Sequence, residues 1–295
     1  MIKTATTLDE QIQLLKKRGL DIQDDEKAKE CLLDIGYYRL GAYLFPFEKS
    51  FPNIDNRTHE FKLGSKFYDA VTLYYLDFDL RNILSRYLSR IEVDFRTFIT
   101  YEISNKYKKS PTWFADPKIV GTKFISKLNT KLYKDIRKQP TIARHHKKYI
   151  NDRYAPAWKT LEYMTFGSIL FLYLNLKTPQ DKIKISKHFG VNQTGVFENY
   201  MQTIKTLRNA CAHGSCIYDL NLPLSVKNGP AGTIPRDCRN KLIAALMVTE
   251  YLLGQISANR LKDMKDAINK TINDADKKSH SIRLIINEVS GGKLI

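Results

Sequence analysis

The stretch from Phe67 to Tyr107 limits the choice of fold more than any other feature of the chain. Leu80, Leu84, Tyr87, Leu88, Ile91, Phe95 and Phe98 recur at steps of three and four, which marks one side of a long α-helix. Asp77 and Arg81, and likewise Glu92 and Arg96, stand four residues apart on it and can pair. An apolar side this long needs partners, and other helices are the partners the rest of the chain offers. Thr7 with Glu10 forms a capping box ahead of Ile12, Leu14 and Leu15, and Gly19 supplies a stop. Residues 24–36 repeat that plan and end at Gly36. A compact aromatic stretch, GYYRLGAYLFPF (36–47), comes next, with Pro46 interrupting any helix there. Residues 48–62 read as a polar loop.

Spacing predicts further helices over 118–138, 157–177, 179–189, 194–213 and 237–262. In 118–138 the apolar residues Phe124, Ile125, Leu128, Leu132 and Ile136 face one way. Lys123, Lys127, Lys131, Lys134 and Lys138 face the other. RHHKKY (144–149) reads as an exposed basic turn, and 219–235 as a Pro- and Gly-rich loop. Residues 281–289 fit a short strand or a last helix. No series of strands with turn spacing and no repeat of fixed period occurs elsewhere, so the fold class is all-α, a helical bundle.

Lys and Arg number 48 against 31 Asp and Glu, a formal net charge of +17. A surface this basic attracts polyanions, RNA or DNA foremost, with a membrane surface a distant second and not expected as a partner. The lysine series 123–138, together with Arg144, His145, Lys147 and Lys148, would meet phosphates and bases. The plainer reading of these residues is a solvated face and an exposed turn. The most apolar stretch, FGSILFLYLNL (166–176), is about 11 residues and too short to span a bilayer. Four scattered cysteines make no disulfide framework, and a cytoplasmic location is expected. Cys211, His213 and Cys216 lack the spacing of a closed metal site, so no metal and no cofactor is expected. Tyr37, Tyr38, Tyr43, Phe45 and Phe47 could form a base-stacking platform, but aromatics this dense read as core, as do Trp158 and Phe166.

One short segment carries chemistry. In LRNACAHGSCIYD (207–219) an arginine precedes a histidine by five residues, with Asn209 beside the arginine and Gly214 after the histidine. Of the six histidines, only His213 has an arginine five to seven residues before it. Asn209 and His213 share a helix face, and Gly214 suits the position that ends the helix.

LRNACAH matches the R-N-x-x-x-H motif of HEPN-fold ribonucleases. EQIQLLKKRGL, IGYYRLGAYLFPF (35–47), DFDLRNILSRYLSRIEVDFRT (77–97) and PAWKTLEYMTFGSI (156–169) occur in order beside it. Together they resemble the Abi-like family of bacterial abortive-infection proteins, the AbiD/AbiF group, over roughly 8–260. The resemblance implies a HEPN-like helical core over 63–262. Residues 1–62 would be a helical segment packed on that core, and 263–295 a tail or extra element. It implies an RNA-directed defence protein and a metal-independent endoribonuclease that works as a homodimer, two Arg–His elements forming one site. Arg208, Asn209 and His213 would be catalytic, and Glu92 would either pair with Arg96 or orient Arg208. It also implies an antitoxin-like regulator or a structured small noncoding RNA as partner. The alternative is a non-catalytic RNA-binding protein that forms a ribonucleoprotein with such an RNA.

Overall fold

The computed structural model describes residues 4–292 and 294. Helices dominate it, and no strand longer than an isolated bridge forms among the described residues. The chain is an all-α bundle assembled around one long helix.

Helices α1 (Leu8–Lys17) and α2 (Asp25–Ile35) start on the residues the pattern marks. Thr7 Oγ1 accepts from Glu10 N while the Glu10 carboxylate accepts from Thr7 N, which completes the capping box. Asp24 caps α2 at the backbone N–H of Lys27. The aromatic stretch is helical after all. It forms α3 (Tyr37–Leu44) and a tight turn through Pro46. Tyr43, Phe45 and Phe47 are core, but Tyr38 is 97% exposed, against the expectation for this stretch.

Helix α4 (Phe67–Lys106) is the axis of the molecule. Leu80, Leu84, Leu88, Ile91, Phe95, Ile99 and Ile103 are all buried along it. Phe95 sits in a cage of rings from Phe166, Tyr173, Phe189 and Phe197, packed edge to face at about 6 Å.

Three predicted helices prove to be broken. The lysine-bearing segment is α5 (Thr122–Lys127) and α6 (Tyr133–Ile136), joined by a widened π turn at 128–132. That turn inserts a residue into the helical register, yet all five lysines of the series stay exposed. RHHKKY is not a turn but the end of α7 (Pro140–Lys148). The segment 157–177 divides into α8 (Ala157–Thr160) and α9 (Phe166–Leu174). Met164 is extended between them, and Thr165 caps the second helix at Ser168 N. Phe166 is core, whereas Trp158 is 53% exposed.

Helices α10 (Pro179–His188) and α11 (Thr194–Ala212) come next. The last pattern, 237–262, breaks at Ser257, whose backbone is extended and whose hydroxyl accepts from Arg260 N. This gives α12 (Leu242–Ile256) and α13 (Ala258–Lys278). The division expected at 262 therefore falls inside a helix. Met264, Ile268, Ile272 and Ala275 form a buried stripe, and α13 packs along α4. Residues 281–290 are helical too, as α14 (Ser281–Ser290), with Ile282, Ile286 and Val289 buried. What reads as a tail is part of the packed core.

No helix among the described residues is long and apolar enough to cross a membrane.

The end of helix α11 as a candidate active site

Helix α11 buries Phe197, Tyr200, Met201, Ile204, Leu207 and Cys211 at steps of three and four, and this stripe lies against α4. The same spacing turns Arg208 and Asn209 to the half-exposed flank. His213 is the C-cap: its N–H donates to Asn209 O at 2.9 Å, and its side chain is exposed. Gly214 N donates to Cys211 O and Ser215 N to Ala210 O, the bond pattern of a Schellman motif. Gly214 has φ +67°, and a Cβ there would sit 3.3 Å from Arg39 Nη1, so glycine answers both the backbone and the space.

The Arg208 guanidinium is held from two sides. Its Nε donates to Glu92 Oε2 at 3.2 Å, and its Nη1 donates to Asn209 Oδ1 at 3.3 Å. Glu92 comes from α4 and its other oxygen accepts from Arg96 Nη2 at 3.0 Å, so one carboxylate bonds both arginines. Arg96 is itself tied to Met164 O at 3.1 Å. Arg208 keeps 37% side-chain exposure, and donors remain free for an incoming anion. The side chain of Asn209 orients Arg208. Its link to His213 runs through backbone only.

A buried network on α4 fixes the backbone just beyond His213. Asp77 Oδ1 accepts from Ile217 N at 3.0 Å and Tyr218 N at 2.6 Å. Its other oxygen accepts from Tyr43 OH and Arg81 Nη1, both at 2.8 Å. Arg81 Nη1 also donates to Ser215 O at 2.9 Å. Burial raises the Asp77 carboxyl above the ordinary aspartate value, while Arg81, Tyr43 and the two backbone N–H groups oppose it. Asp77 and Arg81 thus hold residues 215–218 in place just past the end of α11. From sequence they read only as an i,i+4 pair. The missed signal is that they lie on the apolar stripe that continues through Leu84 and Leu88.

The remaining candidates are dispersed. Lys123 and Lys127 on α5, Lys131 in the π turn, Lys134 on α6 and Lys138 just beyond it are each exposed. Arg144, Lys147 and Lys148 are exposed on α7. His145 is not available to stack on bases: it is 6% exposed, and its Nε2 lies 3.0 Å from Asp152 Oδ2. His146 is equally buried, 2.9 Å from Tyr133 OH. Helical spacing of α7 turns both rings inward, because Ile142 on the same stripe is core.

Burial lowers the pKa of His146 below its usual 6.5, helped by nearby Arg137. The unfolded chain therefore takes up this proton at a higher pH than the folded one. The stability tied to neutral His146 is present above about pH 6.5 and is lost as pH falls toward the native value. Thermal unfolding between pH 7.5 and 5.5 should show that loss, and His146→Gln should flatten it.

Burial also pushes the Cys211 and Cys216 thiols up to about 12, which keeps them protonated. Among the described residues no group of three or more His, Cys, Asp or Glu is placed to hold a metal ion.

A family model described as Abi-like protein matches residues 30–219. The match begins in α2 and ends just past the Arg208–His213 segment, so it contains the long helix, the Asp77 network and the end of α11. Nothing among curated proteins or solved structures matches the chain.

Proposed function

The chain belongs to the Abi-like protein family, and from that membership we propose that it acts in abortive infection as a metal-independent endoribonuclease centred on Arg208 and His213. The observation that carries the reading is the pairing of a fixed, half-exposed Arg208 with an exposed His213 at one helix end. Arginine clamps phosphate, and histidine moves protons near neutral pH. RNA needs little more, because its own 2′-hydroxyl is the nucleophile.

In this reaction a histidine takes the proton from the 2′-OH, and the 2′-oxygen attacks phosphorus. The bond to the 5′-oxygen breaks, and that oxygen takes a proton from a second acid. Arg208 stabilises the charge that builds on the phosphoryl oxygens. The products are a 2′,3′-cyclic phosphate and a 5′-hydroxyl end. One Arg208–His213 element per chain supplies one such histidine, so two chains facing each other supply both the base and the acid. Asn209 and Glu92 are positioning residues, holding the guanidinium on its phosphate. The exposed lysines of 123–138 and the Arg144, Lys147 and Lys148 group on α7 extend the electrostatic footprint for RNA.

The test is incubation of the full chain with end-labelled RNA in the presence of a chelator. Scission leaving 2′,3′-cyclic phosphate ends is expected, with DNA of the same sequence uncut. RNA held tightly and never cut would favour the second reading, a ribonucleoprotein with a structured small RNA. The five exposed lysines of the 123–138 series favour that reading independently of the chemistry. An antitoxin-like regulator is compatible with either.

Glu92→Gln keeps an acceptor beside Arg208 but removes the charge that holds it. The scission rate should fall on the order of 10- to 100-fold with the circular dichroism spectrum unchanged. An unchanged rate would leave Glu92 as a partner of Arg96 alone.

A further inference from the structure

A cleft of about 640 Å³ opens between α1, α3, the loop 48–61 and the segment 216–219. This lies within the usual size of small-ligand sites, about 300–1,000 Å³. Three side chains of its lining make no ion pair among the described residues. Arg18 has no acid within ion-pair distance, and its only side-chain hydrogen bond goes to Tyr37 OH at 3.4 Å. Tyr38 presents its ring to solvent at 97% exposure. The Asp219 carboxylate is exposed and accepts no side-chain or backbone hydrogen bond; desolvation by the surrounding protein raises its pKa, and the nearby Lys241 charge opposes that. The other charges of the lining are already satisfied. Arg57 pairs with buried Glu48, stacks 4.6 Å from the Phe45 ring centre and donates to Gly41 O.

A free cation, a free aromatic face and a free anionic acceptor in one cleft describe a ligand with complementary parts. It carries an anion, a flat ring and N–H donors on the ring edge. A nucleotide has all three. Guanine fits best, since its N1–H and N2–H lie side by side and a carboxylate can accept both. The cleft is also close to the candidate active site. Cys216, in its lining, is three residues after His213, so their Cα atoms lie within about 11 Å.

We propose that this cleft binds one unstacked guanine nucleotide of a single-stranded RNA, with its base on Tyr38, its N–H edge on Asp219 and its phosphate at Arg18. The inference rests on the RNA-binding part of the function proposed above, not on its chemistry. It makes the substrate an unpaired segment with a guanine a few nucleotides at most from the phosphate held by Arg208. Asp77 fixes the backbone of Ile217 and of Tyr218, which lines the cleft, a few residues past the end of α11.

The test uses the full chain carrying His213→Ala, so that RNA is bound without being cut. The probes are labelled oligoadenylate, the same oligomer with one guanine, a duplex RNA, and GMP. The guanine-containing oligomer should bind tightest. Tyr38→Ala should weaken it on the order of 10- to 100-fold, the usual worth of one stacked base, and leave the duplex unaffected. Tyr38→Phe should bind like the parent. Asp219→Asn should erase the preference for guanine. Equal binding of both oligomers, or a Tyr38→Ala protein that binds like its parent, would overturn the proposal. GMP bound in the cleft with no oligomer affinity would also overturn it, by assigning the site to a free nucleotide. Since no cleavage is measured, the result stands or falls apart from the nuclease reading. Conversely, a wild-type chain that cuts RNA with a base preference unchanged by Tyr38→Ala would sink this inference and spare that reading.

Discussion

His213→Ala is expected to lower the rate of RNA scission by about 10²- to 10⁴-fold, the range a positioned general acid–base side chain contributes. Thermal stability and RNA affinity should stay close to wild type. The imidazole is exposed at the end of α11, and the hydrogen bond that caps the helix there uses the backbone N–H of residue 213, which alanine retains. Gly214 still supplies the left-handed turn. Arg208→Ala should cost a similar factor and weaken binding as well, because the guanidinium meets phosphate before and during the reaction. Gel-resolved single-turnover cleavage, with fluorescence anisotropy for binding, separates the two. A His213→Ala protein that cuts at the wild-type rate would leave the histidine without a chemical role.

Asp77→Ala should have the largest effect on the fold. Its carboxylate is fully buried and accepts four hydrogen bonds, from Tyr43, Arg81, Ile217 and Tyr218. Removing it leaves the Arg81 charge and two backbone N–H groups buried without their acceptor. Breaking one side of a buried pair typically costs about 3–5 kcal/mol, a large part of the stability of an ordinary domain. Urea unfolding should show the midpoint lowered by that energy divided by the slope, with the slope itself unchanged. The double variant Asp77→Ala, Arg81→Met should recover part of the loss, since the uncompensated charge is gone. It should not recover cleavage, because residues 215–218 still lack what holds them. An Asp77→Ala protein as stable as wild type would mean that residues 215–218 are fixed by something other than this carboxylate.

Much of the architecture is legible in the residues alone. The long helix is written in the spacing of Leu80 to Phe98, and the first two helices in their caps, Thr7 and Asp24. Other features depend on contacts far apart in the chain. Whether Asp77 and Arg81 are surface or core is decided by Tyr43 and by residues 215–218, the latter well over a hundred positions away. Glu92 could be paired with Arg96 from spacing, but its bond to Arg208 exists only because α4 and α11 pack side by side. His145 and His146 read as exposed because basic neighbours surround them; burial comes from the stripe they share with Ile142. Helix α13 is within reach of the same reasoning, since Met264, Ile268, Ile272 and Ala275 keep helical spacing. The many Lys and Asp residues between them hide the stripe. Tyr38 and Trp158 show the converse, large aromatics that local composition assigns to the core and that lie on the surface.

The proposed chemistry turns on attack by the RNA's own 2′-hydroxyl at the phosphate held by Arg208 and His213. Mapping the preferred cut site in an RNA oligomer, and then removing the single 2′-hydroxyl on its 5′ side, isolates that step. The wild-type chain should bind the substituted oligomer normally and no longer cut at that linkage. Undiminished scission of the 2′-deoxy linkage would contradict the mechanism.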